Sequence, residues 1–172
     1  MIAVYWIWGL VFCADCYIKT IPMERAEQIS TLSDKTAANA IDGSSSTNAM
    51  TQRADPAWLR VYFKNVLTVE TVKILKAKSY NIPDCVYHVS MYDGEAKTPC
   101  GTYNVQSTAN NFGYYYNQVV SCEGRKGNSV MLEQKSCSNY LLVSEINAYT
   151  TGKIRPKAKY CILKSKILIW PL

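Results

Sequence analysis

The chain reads as an all-β protein, a β-sandwich of the jelly-roll type. Three observations point there. Apolar and polar residues alternate at period two in several short runs, as in strands with one face buried. Turn residues separate those runs at roughly 10–15-residue intervals, and no stretch carries a long helical repeat. Thirteen tyrosines and four tryptophans lean the same way, since aromatic side chains suit a pleated surface.

The elements follow in chain order. Met23–Gln28 suits a helical turn or two within a polar stretch. Asn39-Ala40-Ile41-Asp42-Gly43 is an oxygen-rich turn suited to a hard cation, and Gly43–Asn48 is a loop by composition. Asp55-Pro56 signals another turn, because Pro56 has no N–H for a central ladder. Leu59, Val61 and Phe63 then alternate with Arg60 and Tyr62, which predicts the first core strand. Thr68–Leu75 is a second strand with Val72 and Ile74 on one side, and Pro83 breaks the loop that follows. Tyr87, Val89 and Met91 alternate with His88, Ser90 and Tyr92 until Asp93-Gly94 ends the strand in a turn. Thr98–Asn117, rich in Gly, Asn, Ser and Tyr, reads as long loops with room for one strand. Gln118–Cys122 and Ser129–Glu133 are strands joined by a turn at Gly124–Asn128, and Tyr140–Tyr149 is the last strand. The segment from Gly152 ends in Ile167-Leu168-Ile169-Trp170 and suits an added edge strand, a docked extension or a poorly ordered tail.

The 172 residues suffice for one domain with a real core, expected at 17–150. The net charge of +6 is uneven. Lys153, Arg155, Lys157, Lys159, Lys164 and Lys166 lie in the extension at 151–172, which holds no acid. The remainder is neutral, so the basic balance does not describe a nucleic-acid-binding surface. The tail itself has the chemistry to touch anionic lipid or sulfated glycan, or simply to be solvated.

Residues 1–16 open with an apolar run, Ile2 to Phe12, too short to span a bilayer comfortably. They suit a secretory signal peptide, although no Lys or Arg precedes the apolar core. The expected location is extracellular, and an integral membrane protein is not expected. Ala14 and Cys16 both suit the cleavage position; cleavage after Ala14 leaves Cys16, Cys85, Cys100, Cys122, Cys137 and Cys161, an even set fit for a disulfide framework. The chain has no N-x-Ser/Thr acceptor for N-glycosylation.

Enzyme chemistry finds no purchase. His88 is the sole histidine, no serine has nucleophile-elbow glycines around it, and neither a phosphate loop nor H-E-x-x-H occurs. The chain is expected to bind rather than catalyse.

Three motifs carry a resemblance: Asn39-Ala40-Ile41-Asp42-Gly43, Asp55-Pro56-x-Trp58-Leu59-x-Val61 and Tyr140-Leu141-x-x-x-Glu145-Ile146-x-x-Tyr149. In this order and spacing they resemble the F-type lectins, or fucolectins, over about residues 30–150. That family shares the galactose-binding jelly roll with discoidin and coagulation-factor type C domains. The resemblance implies a structural calcium beside loops that bind L-fucose. It implies calcium ligands at Asn39, Asp42, Ser44 (where Asn is usual), Thr51 and Glu145. Ser144 stands where a cysteine usually precedes that glutamate. The family's sugar-gripping residues are replaced. Thr51 or Gln52 stands at the histidine position. Ile82 stands at the first arginine of the Arg-x-Asp-Cys-Cys loop, and Val86 at its second cysteine. Ile and Val cannot make the bidentate hydrogen bonds of Arg. Arg53, Lys78, Tyr80 and His88 remain as candidate ligand-binding residues at that end. His88 also suits an ordinary strand position.

The resemblance further implies a Cys100–Cys122 bridge and, as in the type C domains, a Cys16–Cys161 clamp at the termini. In that fold the loops holding Cys85 and Cys137 lie at the same end, which implies a third pair. The expected function is a secreted, calcium-stabilised, lectin-like module with altered or lost fucose specificity. Its partner would be a glycan or cell-surface glycoconjugate. The alternative is a non-catalytic protein- or cell-surface-binding adhesion module on the same scaffold.

Overall fold

The computed structural model describes residues 17–76, 85–105 and 116–152. The expected leader, Cys16, Lys78, Tyr80, Cys161 and the tail from 153 lie outside them. The strands in chain order are β1 (Tyr17–Thr20), β2 (Arg25–Gln28), β3 (Ala49–Met50), β4 (Ala57–Lys76), β5 (Cys85–Asp93), β6 (Ala96–Val105), β7 (Tyr116–Lys135), β8 (Leu142–Val143) and β9 (Glu145–Gly152). A 3-10 turn, Ala37–Ala40, precedes β3. All pairings are antiparallel. The fold is the all-β jelly roll expected from the sequence.

Two strands of 20 residues, β4 and β7, run against each other for most of their length. The first half of β4 lies between β2 and the end of β7, and β5 and β6 extend that layer. The second half of β4 lies between β9 and the start of β7, and β1 closes the second layer. One hydrogen-bonded sheet thus turns back on itself to make both walls of the sandwich, as strands do when bulges let them switch layers. Leu59, Val61 and Phe63 from one half of β4 share a core with Val69, Val72 and Ile74 from the other.

The register of β4 shifts between Val69 and Thr71. Up to Val69 the odd-numbered residues face the core, and from Val72 the even-numbered ones do. An extra residue in a strand reverses which side every later residue faces. The bend in β7 falls opposite, at Glu123 and Gly124, both with left-handed backbone (φ 51° and 74°).

Several sequence expectations are corrected here. Gly124–Asn128 is not a turn between two strands but part of the continuous β7, because bulges and turns demand the same left-handed residues. Met23–Gln28 is not helical. Arg25–Gln28 pairs with Tyr62–Leu59 as an edge strand. The one strand allowed for in Thr98–Asn117 is β6, which starts earlier, at Ala96, and is hairpinned to β5 through Asp93-Gly94. Pro99 is tolerated because β6 is an edge. The separate strands expected at Leu59–Phe63 and Thr68–Leu75 are both parts of β4.

Two disulfides staple this frame. Cys100–Cys122 ties edge strand β6 to the first half of β7, with Cα atoms 4.4 Å apart. Gly101 lies alongside, where an added Cβ would come 3.1 Å from the Val120 side chain. Cys85–Cys137 ties the start of β5 to the segment after β7, with Cα atoms 5.4 Å apart. Both bridges match the expected pairs, and Cys16–Cys161 falls outside the described residues. No helix among the described residues is long and apolar enough to cross a membrane.

Gly127 is the tightest backbone approach among the described glycines. A Cβ there would sit 2.5 Å from the Tyr92 carbonyl oxygen and 2.9 Å from the Met91 side chain. Gly127→Ala is expected to destabilise the fold by about 1–3 kcal/mol, the usual cost of overpacking. In urea denaturation the midpoint should fall with little change in slope.

Candidate functional site

Two polar centres flank the sandwich, and a short ribbon joins them. The first begins at the 3-10 turn, which buries Ala37 and Ala40 and delivers Asp42 to the surface. Asp42 accepts the Ser44 N–H at 2.8 Å on one oxygen and the Thr47 hydroxyl at 2.7 Å on the other. This self-closing turn explains the adjoining Gly43, whose φ of 79° only glycine adopts without strain. The Thr47 hydroxyl, followed by the Ser44 amide, holds the Asp42 carboxyl below its usual range.

Glu145 arrives from the other end of the sequence as the first residue of β9, paired with Leu75. It is buried beside Asp42, and its Oε1 is buried with no hydrogen-bond partner. Burial pushes its carboxyl up to about 7. The Asp42 charge adds to the shift, while the Gly43 and Ser44 amides oppose it. On the near side of this pocket Asn48 joins two residues. Its carbonyl accepts from the Asn39 amide at 3.0 Å, and its side-chain oxygen accepts from the Ser144 hydroxyl at 2.8 Å.

The expected calcium ligands are therefore brought together unevenly. Asp42 and Glu145 face one another, with the Ser44 backbone beside them. The Ser44 hydroxyl pairs with that of Ser46 at 2.7 Å. Thr51 is fully buried one ribbon step away, its hydroxyl accepting from the Leu141 N–H at 2.9 Å. No group of three or more His, Cys, Asp or Glu suited to a metal occurs among the described residues. An ion held by Asp42 and Glu145 would thus complete its shell with neutral oxygens, which calcium accepts readily. The orphaned Glu145 Oε1 and the two adjacent carboxyls fit such an ion.

The ribbon runs from this pocket. Ala49 and Met50 pair with Val143 and Leu142, Thr51 exchanges bonds with Leu141, and Ala54 bridges to Asn139. At its far end the exposed Arg53 guanidinium lies over the Tyr140 ring, 5.1 Å from the centroid. Cys137 is nearby in sequence, bonded to Cys85.

The second polar centre lies at this same end, inside the wall. Lys76, the last residue of β4, is 3% exposed and donates to the Tyr87 hydroxyl. Tyr87 donates to the Gln134 side-chain oxygen at 3.1 Å, and Gln134 donates to the Asn139 carbonyl at 3.1 Å. Tyr103 stacks on Tyr87 with centroids 4.9 Å apart, its buried hydroxyl unpartnered. Burial pushes the Lys76 amine down to about 7 and both phenols upward. No carboxylate among the described residues forms an ion pair with Lys76.

The sequence carries a signal for this group. Val72, Ile74 and Lys76 share a parity, so the strand that buries the first two also buries the third. His88 takes its ordinary strand position. It is half-buried on the outer face of β5, across from Glu133 and Thr102, while its neighbours Tyr87 and Val89 face the core.

The Lys76 group generates a pH test. Its folded value is depressed, so between about 7 and the model-peptide value of 10.5 the unfolded chain binds more protons. Stability should therefore rise as the pH climbs through this window. Thermal melts at pH 7 and pH 9 should show the wild type gaining on Lys76→Met by roughly 1 kcal/mol per pH unit. Parallel curves would show that Lys76 is charged when folded.

No family model and no curated protein matches the sequence. Solved structures do match by fold. A fucolectin from striped bass (Morone saxatilis) serum superposes with a TM-score of 0.62 at 20% identity, over 75% of this chain and 46% of that one. The family 32 carbohydrate-binding module of NanJ from C. perfringens, in complex with galactose, gives a TM-score of 0.65 at 19% identity. That match covers 78% of this chain and 100% of that one. A histidine mutant of the lectin binding domain of lectinolysin, complexed with Lewis b, gives 0.60 at 21% identity, over 76% and 100%. This chain spans less than half the length of the striped bass protein and the whole length of the other two. The chain has the discoidin-type jelly-roll fold of the F-type lectins and galactose-binding modules.

Proposed function

We propose that this chain is a secreted, non-catalytic carbohydrate-binding module, stabilised by calcium and altered in its fucose recognition. The observation that carries the reading is the fold, shared with modules whose structures hold galactose or Lewis b. Calcium is supported by the Asp42–Glu145 pair and the orphaned Glu145 oxygen. The ion would supply positive charge to two crowded carboxyls and fix the turn to the last strand. The altered specificity is supported by Thr51 and Gln52, one of which stands where the resembling family has its histidine, and the buried Thr51 hydroxyl is spent on the ribbon. Secretion is supported by the two disulfides, which persist in oxidising compartments.

Calcium and sugar are tested separately. Heat unfolding with and without millimolar calcium should show a rise of several degrees, because an ion bound only by the folded state stabilises it. Asp42→Ala should remove that rise, and an unmoved midpoint in the wild type would refute the calcium site. A glycan array with calcium and with EDTA should show binding in the first condition. Silence in both would leave the adhesion module, with a protein or other cell-surface partner, as the function of this scaffold.

A further inference from the structure

Among the described residues some cations are ion-paired and others, Arg53, Arg60 and Lys76 among them, are not, but Arg60 donates to Ser129 and the Gly94 carbonyl and Lys76 is buried. Arg25, Lys97, Arg125 and Lys135 each pair with a carboxylate on a neighbouring residue or strand. Arg53 pairs with none among the described residues, although Asp55 is two positions away. Its guanidinium lies instead over the Tyr140 ring at 5.1 Å. The backbone on both sides of this contact is pinned. Thr51 exchanges bonds with Leu141, Ala54 bridges Asn139, and the Asn139 carbonyl is held by buried Gln134. A guanidinium fixed over a ring loses less freedom on binding than a free one, and it keeps its N–H edge for a partner.

This arrangement also shapes what the site rejects. A neutral sugar is commonly gripped through its apolar face on an aromatic ring, and here the guanidinium covers a face of the Tyr140 ring. The complement of a positioned guanidinium with no carboxylate partner among the described residues is a planar or tetrahedral oxyanion, met by two parallel N–H···O bonds. We propose that Arg53, held by Tyr140, makes this end of the sandwich selective for glycans carrying an acidic group, a uronate carboxylate or a sulfate ester. The inference rests on the carbohydrate-binding function proposed above and names the class of sugar.

The test uses the full chain at about 0.15 M salt, where nonspecific attraction between exposed charges is largely screened. The probes are galactose, fucose, galacturonic acid and galactose 6-sulfate. As monosaccharides they limit the contribution of the basic tail. One or both acidic sugars should bind about tenfold or more tightly than galactose, the usual worth of a charged hydrogen bond. Arg53→Gln should erase that preference without moving the melting temperature. Tyr140→Phe should retain it, and Tyr140→Leu should weaken it. Replacing Lys164 and Lys166 with Gln should leave it unchanged. Which acidic sugar responds assigns the carboxylate or the sulfate. Galactose or fucose binding as tightly as both acidic sugars, or a preference that survives Arg53→Gln or falls with the tail lysines, overturns the proposal while leaving carbohydrate binding intact. Failure of all four probes and of the glycan array overturns carbohydrate binding itself.

Discussion

Everything in this fold depends on the pairing of β4 with β7. Among the described strands these two alone are present in both layers, so they set the angle between the walls and the volume of the core. Their shared bend is a constraint as much as a contact. Once β4 shifts register after Val69, the side chains that follow must obey the reversed parity. Val72 and Ile74 do so, and Lys76 follows them into the interior because the backbone leaves it no other side to face. A buried, unpaired lysine is expensive. The sandwich accommodates it with a chain of neutral partners, Tyr87, Gln134 and the Asn139 carbonyl, and by depressing its proton affinity.

The sandwich was legible where one side chain in two is buried. Leu59, Val61 and Phe63, and Tyr87, Val89 and Met91, announce their strands because period two is imposed by backbone geometry alone. The bend was illegible because Gly124 carries the same preference in a bulge as in a hairpin turn, and only its partner strand decides between them. β6 was legible only as room for one strand, because at an edge weak strand formers such as Pro99 and Gly101 are tolerated and even useful against edge-to-edge pairing. The short β2 escaped notice because its charges, Arg25 and Glu27, hide its alternation.

The candidate site divides in the same way. The turn at Asp42-Gly43 can be read locally, since its hydrogen bonds close within five residues. Its partnership with Glu145 is a long-range fact that composition cannot supply, and the family resemblance was needed to suggest it. The contact between Arg53 and Tyr140 lies further still from sequence reasoning. It follows from the register of a ribbon whose two strands are only two residues long, held as much by Asn48, Thr51 and Ser144 side chains as by its ladder. Such polar pins fix a loop without advertising a strand.

The long antiparallel embrace of β4 and β7 also has a meaning in time. The first residues of β4 meet the last residues of β7, and its last residues meet β9, so the earliest long strand must wait for nearly the whole described chain before either wall can close. Distant pairings of this kind make folding slow, since loop closure precedes any reward. While it waits, β4 is a strand of 20 residues for which only the short β2 has yet been made, covering Leu59–Tyr62 on one edge, and the rest is a template for wrong partners. Lys64 and Asn65, exposed near its middle, interrupt the apolar pattern there, so that vigilance during synthesis is written into the strand itself.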